Sequence, residues 1–181
     1  MIFQQVCKKN FIPFSLTGIV ILLDQLTKAY VVANWPREGT FIRDVFNNEL
    51  LIFFHVRNRA IAFSIGDNLP EQFRFPLFVV VPILVLIFLL VYYFSTDEFS
   101  RLQRWAIAGI IGGGIGNITD RIFRPDGVVD FISVKFFGIF GMERWPTFNI
   151  ADAAVVICCF ILLFTLVKPQ KQVPAENEQK N

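Results

Sequence analysis

The sequence has little charge for its length, only one histidine and only three cysteines. Charged residues make up 18% of the 181 positions, whereas hydrophobic residues make up 54%. One soluble core of this size cannot enclose several apolar runs of about 20 residues, so the composition excludes an ordinary soluble enzyme. The cysteines show neither a disulfide framework nor a zinc-binding spacing.

Other function classes lack support as well. The formal net charge is +2, and no basic run is long enough to indicate nucleic-acid binding. No serine or cysteine lies beside a base, as nucleophilic catalysis would require. For His55 we predict a surface position on a strand rather than a catalytic role.

Four apolar segments are long enough to cross a bilayer as helices, and the predicted fold is therefore a membrane α-helical protein with four transmembrane helices. The first segment could be a signal peptide, but it contains Asp24 and Lys28 and lacks a small-residue cleavage site, so we interpret it as a retained helix. One membrane domain, residues 1–167, would be followed by a disordered cytoplasmic tail, residues 168–181. The predicted spans are residues 11–33, 75–94, 105–123 and 148–167.

An even number of spans places both termini on one side of the membrane and the loops 34–72 and 124–147 on the other. The density of Lys and Arg favours cytoplasmic termini, whereas their raw number does not, so charge leaves the orientation open. Strand-like segments in the first loop, Thr40–Phe46, Leu50–Arg57 and Ala60–Ile65, predict a small sheet on the membrane surface. In the second loop, Val128–Ile132 is predicted to be a short extended segment directed back at the bilayer.

Charged residues within a membrane are costly and are functional candidates. In the first span, Asp24 and Lys28 lie one helical turn apart and can neutralise each other. This pair could merely orient the helix, or it could support a site, and the sequence leaves both interpretations open.

The third span carries a face of small residues that ends at a carboxylate and would admit a neighbouring backbone. Close packing explains the glycines, but it does not explain Asn117, Asp120 and Arg121 together. Because adjacent residues do not face one another on a helix, we expect Asp120 and Arg121 to have separate partners. The face is formed by Gly109, Gly113, Gly116 and Asp120.

The fourth span opens with Asn149 and Asp152 on one face. Asn149 could cap the helix or contribute to a site. Asp152 has no basic residue within four positions, and Asp130, at the mouth of the same region, also lacks a local cation. Two carboxylates without cations, if close together at low dielectric, would share one proton and could act as base and acid, as in aspartic proteases. The sequence alone does not show that they meet.

Five sequence blocks together resemble bacterial lipoprotein signal peptidase, also called signal peptidase II. They occur in the family order and cover nearly the whole chain except its ends. The blocks are Asp24-Gln25-Leu26-Thr27-Lys28, Asn58 with Ala62-Phe63-Ser64, Gly116-Asn117-Ile118-Thr119-Asp120-Arg121, Val129-Asp130-Phe131-Ile132 and Phe148-Asn149-Ile150-Ala151-Asp152.

The resemblance implies a four-helix aspartyl endopeptidase of the bacterial inner membrane, with a periplasmic β-cradle, cytoplasmic termini and an active site on the periplasmic side. It implies cleavage of diacylglyceryl-modified prolipoproteins before the lipidated cysteine, with no metal and no cofactor. Membrane lipid and the prolipoprotein are the expected partners, and we expect a monomer. The catalytic pair would be Asp130 and Asp152. The residues that organise the site or contact substrate would be Asp24, Lys28, Asn58, Asn117, Asp120, Arg121, Asn149 and Ala151.

The chain departs from the family pattern in two places. Family members commonly have Gly and then Ala where this chain has Ala60 and Ile61, and Ala60 lacks the freedom of glycine at positive φ. The loop between Asp120 and Asp130 is one residue longer than usual.

Two functions from other classes would use similar residues. A transporter or proton channel would also hold intramembrane carboxylates, but it normally needs a polar path to both faces, and residues 75–94 and 155–167 provide none. A membrane scaffold built on the glycine face would need Asp130 for assembly rather than for turnover.

Overall fold

The computed structural model describes residues 10–36, 39, 41–59 and 69–167. This mostly helical fold with a small sheet agrees with the predicted fold class. The principal helices are α1 (Phe14–Asn34), α2 (Glu71–Ser95), α3 (Arg101–Phe123) and α4 (Ile150–Val167), and the strands are β1 (Phe41–Asp44), β2 (Leu51–Asn58) and β3 (Val128–Val134).

Several predicted features fall outside the described residues. They are the strand Ala60–Ile65, the motif Ala62-Phe63-Ser64, the departures at Ala60 and Ile61, and the tail 168–181. The predicted strands Thr40–Phe46 and Leu50–Arg57 correspond to β1 and β2, and the extended segment Val128–Ile132 lies within β3.

Helices α1 and α2 are long and apolar enough to cross a membrane, with mean hydropathies of 1.5 and 3.0 in their most apolar stretches. The apolar helix Ile150–Leu166 is shorter, and α3 carries several polar side chains. Length and composition by themselves therefore identify two membrane-spanning candidates among the described helices.

The observed helix boundaries differ from the predicted spans by a few residues. Helix α3 begins at Arg101, four residues before the predicted span, because Ser100 and Gln103 form a reciprocal capping box. Helix α2 begins at Glu71 and contains a π-helical turn, Pro76–Val80. Helix α4 begins at Ile150, after Asn149.

Helix α3 packs against both α1 and α4 through its glycines. A Cβ atom at Gly112 would lie 3.0 Å from Thr17 Cα of α1, and one at Gly113 would overlap the carbonyl oxygen of Ala151 in α4. Thr17 also donates a 2.6 Å hydrogen bond to the carbonyl oxygen of Ala108. The predicted role of the glycine face is confirmed.

The three strands form an antiparallel sheet in the order β1-β2-β3. In this register Val56 of β2 is opposite Asp130 of β3, and Asn58 is opposite Val128. Val129 and Phe131 pack against Val31 of α1, which attaches the sheet to the helices. Asp130 is consequently held close to the ends of α1 and α3.

His55 does not occupy the surface position predicted for it. Its side chain is buried in β2, and Nδ1 lies 3.0 Å from the carbonyl oxygen of Pro36. The connection after α1 folds over β2, since Gly39 N donates a 3.0 Å hydrogen bond to the His55 carbonyl oxygen. The prediction is wrong because this covering segment is distant from His55 in sequence and has no apolar pattern of its own.

Candidate active site

Lys28 is the centre of a buried polar cluster between α1 and α3. Its Nζ atom lies 2.8 Å from Asp24 Oδ2 and 3.2 Å from Asp120 Oδ2. It also donates a 2.9 Å hydrogen bond to Asn117 Oδ1. The side chains of Asp24, Lys28 and Asp120 are all fully buried, so each charge depends on its partners. The predicted Asp24–Lys28 pair is confirmed, and it also joins two helices.

Asp24 reaches from α1 to the beginning of α4. Its Oδ1 atom accepts a 3.0 Å hydrogen bond from the backbone N–H of Ala151, a group in the first turn that has no partner within its own helix. A Cβ atom at Gly116 would lie 2.8 Å from Asp24 Oδ2. Glycine at this position therefore leaves room for the carboxylate between α1, α3 and α4.

Asp120 connects α3 to β3. Its Oδ2 atom accepts a 3.1 Å hydrogen bond from the backbone N–H of Val129, next to Asp130. It also pairs with Arg124, one turn further along the chain. The guanidinium of Arg121 lies 5.1 Å from the centre of the Phe78 ring of α2. Asp120 thus has partners other than Arg121, as predicted.

Two further residues of this cluster, Gln25 and Arg124, were not among the predicted site residues. Gln25 Nε2 lies 3.1 Å from Asp24 Oδ2 and 3.0 Å from Asp120 Oδ1. A count of nearby cations limited to Lys28 and Arg121 overlooks Arg124, although its i, i+4 spacing from Asp120 is a recognisable signal. Gln25 lies next to Asp24 in sequence, but only the packing of α1 on α3 indicates its contacts.

Asn149 both caps α4 and binds the candidate catalytic carboxylates. Asn149 Oδ1 accepts a 2.9 Å hydrogen bond from the Asp152 backbone N–H, and Asp152 Oδ2 accepts a 3.2 Å bond from the Asn149 backbone N–H. Asn149 Nδ2 donates a 2.7 Å bond to Asp130 Oδ1. The two roles that the sequence left open for Asn149 therefore occur together.

Asn117 connects the ion pairs to Asp152. Its Nδ2 atom donates a 2.7 Å hydrogen bond to Asp152 Oδ1, while its Oδ1 atom accepts from Lys28. An ammonium group can only donate, so Lys28 fixes which side of the Asn117 amide faces the carboxylate. The backbone N–H of Asp152 fixes the Asn149 amide in the same way.

Asp130 is buried and is held by two amide groups. In addition to the bond from Asn149, Asn58 Nδ2 donates a 3.0 Å hydrogen bond to Asp130 Oδ2. Burial, followed by the nearby charge of Asp152, raises the pKa of the Asp130 carboxyl from 3.8 to about 7. The bonds from Asn58 and Asn149 oppose this rise in pKa because they stabilise the carboxylate form.

Hydrogen bonds and ion pairs join predicted residues from five separate segments into one connected network, whose members are Asp24, Lys28, Asn58, Asn117, Asp120, Asp130, Asn149, Ala151 and Asp152. Within this network Lys28 pairs with Asp24 and with Asp120, and Arg124 pairs with Asp120. The hydrogen bonds to Asp130 and Asp152 come instead from amide groups. Two such carboxyls can divide one proton between them and act on a substrate as base and acid. Within the described ranges, no cluster of three or more His, Cys, Asp or Glu residues is suited to hold a metal ion.

Comparisons with known proteins agree with this arrangement. The sequence profile of signal peptidase (SPase) II matches residues 16–168. The lipoprotein signal peptidase of Treponema pallidum (strain Nichols) is 44% identical over 169 residues, covering 93% of this chain and 90% of that protein. The lipoprotein signal peptidase of Borrelia turicatae (strain 91E135) is 49% identical over 148 residues, covering 82% and 83%.

Two solved structures, each described as a bacterial membrane enzyme determined by the in meso method, share the fold. One has a TM-score of 0.70 and 25% identity, covering 93% of both chains. The other has a TM-score of 0.70 and 28% identity, covering 87% of this chain and 94% of the other. The chain belongs to the signal peptidase II family of membrane proteases.

Proposed function

We propose that this chain removes the signal peptide from diacylglyceryl-modified prolipoproteins by cleaving before the lipidated cysteine, with Asp130 and Asp152 activating a water molecule. The observation that carries the proposal is that Asn149 binds both carboxyl groups, one through its side chain and one through its backbone. Lys28 and Arg124 are paired with Asp24 and Asp120. Asp130 and Asp152, which accept hydrogen bonds from amide groups, would share a proton.

The reaction follows from this shared proton. The ionised carboxyl takes a proton from the water as its oxygen attacks the carbonyl carbon before the cysteine, and the protonated carboxyl donates its proton to the carbonyl oxygen. The tetrahedral intermediate then collapses, the C–N bond breaks, and the departing nitrogen receives a proton. The products are a free carboxyl on the signal peptide and a free amine on the lipidated cysteine. No metal or cofactor takes part in this scheme.

The remaining site residues support the two aspartates. Lys28, Asp24 and Asp120 tie α1, α3 and the beginning of β3 together. Asn117 and Asn149 orient the Asp152 carboxyl, and the Ala151 backbone joins Asp24. Asn58 orients Asp130. Arg121 is close to the site through α3, and we assign it to substrate contact or site organisation.

We further propose that α1, α2, α3 and α4 all cross the bacterial inner membrane, with both termini in the cytoplasm and the sheet at the periplasmic surface. The apolar length of α1 and α2, and the packing of α3 between α1 and α4, support this arrangement. Residues 1–167 would form one membrane domain that works as a monomer in contact with lipid, followed by the tail 168–181. A cytoplasmic reporter fused to the C-terminus should be active, and activity of a periplasmic reporter in its place would reverse the orientation.

One gel assay tests the proposed activity. The purified chain is incubated in detergent with a diacylglyceryl-modified prolipoprotein and, separately, with the same precursor without lipid. We expect cleavage of the lipidated substrate only, because acyl chains buried between apolar helices gain about 0.8 kcal/mol per methylene. Mass spectrometry should place the cut immediately before the cysteine. Equal cleavage of both substrates, or a cut elsewhere, would contradict the proposal.

Matched carboxylate variants separate catalysis from folding. Asp130→Asn should abolish cleavage while the protein still inserts in the membrane. Asp126→Asn changes an exposed carboxylate in the same connection between α3 and β3, so it should cleave as the unchanged chain does. A scaffold role for Asp130 predicts instead loss of folded protein in the first variant.

A further inference from the structure

An exposed apolar loop projects from the sheet at a distance from Asp130. After β3 the chain forms a hairpin, and we define its tip loop as residues 136–142, which contain no charged residue. Phe137 is 67% exposed, Ile139 is 49% exposed and Phe140 is 88% exposed. Apolar side chains of this size that cluster at the end of a hairpin usually mark an interaction surface.

The backbone of the tip loop holds these side chains outward. Phe137 and Phe140 have φ values of +55° and +53°, in the left-handed region that residues with a Cβ atom rarely adopt. Gly138 and Gly141, both at φ +77°, complete the turn. The hairpin continues below the tip loop, where Phe136 N donates a 2.8 Å hydrogen bond to the Glu143 carbonyl oxygen. A hydrogen-bonded turn therefore holds the exposed side chains of Phe137 and Phe140 in place.

Polar and aromatic groups mark a sharp boundary at the base of the tip loop. The ring of Trp145 lies 5.0 Å from that of Phe136. Lys135 pairs with Glu49, and Arg144 donates hydrogen bonds of 2.8 Å to both the side chain and the carbonyl oxygen of Ser133. Aromatic rings next to basic side chains, with an apolar segment beyond them, are typical of protein segments at a membrane interface.

The position of the hairpin points to a bilayer rather than to another protein. Ile132 pairs with Phe148, two residues before α4 begins, so the hairpin starts beside the beginning of that helix. The helices that contact the sheet also present exposed apolar side chains near their ends at the sheet, such as Tyr30 of α1 and Phe123 of α3. The tip loop extends the same kind of surface into the sheet.

We propose that the tip loop inserts into the interfacial region of the bilayer that surrounds the helices. Phe137, Ile139 and Phe140 would lie among the upper acyl chains, with Lys135 and Arg144 at the level of the lipid headgroups. The sheet would then be attached to the membrane on two sides, through α1 and α4 on one side and through the tip loop on the other. This attachment fixes the height of Asp130 relative to the membrane.

The test measures the depth of the tip loop directly. The full chain, with Cys7, Cys158 and Cys159 replaced by serine, is reconstituted in phosphatidylcholine nanodiscs, and nitroxide labels are attached to Phe137→Cys and, separately, to Phe140→Cys. Accessibility to oxygen, which concentrates in lipid, is compared with accessibility to a water-soluble nickel chelate. Phe88→Cys provides the lipid reference, since its side chain is 70% exposed on α2, and Asn47→Cys, in the turn between β1 and β2, provides the water reference.

We expect both tip-loop labels to behave like the label at position 88, with oxygen favoured over the nickel chelate. Labels that respond like the one at position 47 would overturn the proposal, because the tip loop would then lie in water. Labels that neither reagent reaches would also overturn it, because a second copy of the chain or another protein would then cover the loop. Two label positions guard against a local change of the turn in one variant.

Discussion

The site contains two kinds of aspartate, and the difference between them lies in their partners. Asp24 and Asp120 are bound to cations, with Lys28 shared between them and Arg124 added to Asp120. Asp130 and Asp152 are bound to the amide groups of Asn58, Asn117 and Asn149. An amide donor orients a carboxyl without supplying the positive charge that would hold it ionised.

The partners of each aspartate distinguish the residues that hold the helices together from those proposed to carry out the reaction, whereas burial does not. Asp120 is fully buried and Asp130 is nearly so, yet cations contact Asp120 and amide groups contact Asp130. A carboxyl that must exchange a proton during a reaction needs an environment in which neither form is strongly favoured. The asparagines provide such an environment, whereas Lys28 and Arg124 would remove it.

The largest expected effect comes from breaking the amide-bound pair. Asp130→Asn and Asp152→Asn should each lower turnover per folded protein by at least about 10³-fold, because each removes a group that carries the proton. The double variant should be scarcely slower than either single variant, since the two residues act as one unit. The measurement is cleavage of lipidated substrate, normalised to folded protein. Independent, multiplicative losses would show that the two carboxyls do not work together.

The next effect comes from removing the shared cation. Lys28→Met should destabilise the protein by about 3–5 kcal/mol, because it leaves two buried carboxylates without their common partner. Lys135→Met is the matched control, since its partially exposed pair with Glu49 should contribute no more than about 1 kcal/mol. Thermal unfolding in detergent measures both variants. Equal stability of the two would show that Lys28 does not hold α1 and α3 together.

The contact between α3 and α4 provides a smaller effect. Gly113→Ala should destabilise the fold by about 1–3 kcal/mol, because the new methyl group overlaps the Ala151 backbone. Gly18→Ala, on a face of α1 with no atom within 4 Å, should instead stabilise its helix by about 0.5–1 kcal/mol. The free energy of unfolding should therefore fall in Gly113→Ala and rise in Gly18→Ala. A change of the same sign in both variants would contradict the close packing of α3 on α4.

The smallest effect concerns pH. The fold raises the pKa of Asp130 to about 7, so the protonated form is the one that folding favours, and the stability that this group contributes at low pH is lost as the pH rises toward about 7. Turnover should decline over the same upper range as the shared proton is lost. Asn58→Ala removes a bond to the carboxylate form, so it should move this decline to higher pH.

The pH profile of cleavage tests this expectation. Asn34→Ala is the matched control, because Asn34 bonds only within α1, to the Tyr30 carbonyl oxygen, among the contacts described for its side chain. Its profile should coincide with that of the unchanged chain. A decline that Asn58→Ala leaves in place, or moves to lower pH, would argue against the assigned role of this amide.

The sequence could predict those features that depend only on residues close to one another along the chain. Apolar length located the helices, and the i, i+4 spacing of Asp24 and Lys28 predicted an ion pair that the structure contains. The glycine spacing predicted close packing of α3. Each of these inferences needs only residues within a few turns of one another.

Features formed by distant segments could not be predicted from residue patterns. The approach of Asp130 to Asn149 depends on β3 folding back beside the beginning of α4, and the burial of His55 depends on a segment from another part of the chain. Only the resemblance to a family brought Asp130 and Asp152 together before the fold was known. Their roles in catalysis stay predictions, as do the orientation and the number of spans.

The hydrogen bond from the Ala151 backbone to Asp24 has a consequence for biogenesis. The two residues are separated by 127 positions, so the Asp24 carboxylate in the first helix lacks this bond until the last helix has been synthesised. Synthesis proceeds from the N-terminus, and Asp152 arrives with that last helix. If Asp152 is catalytic as proposed, a partly made chain carries no complete site, and activity requires the last helix to pack beside the first.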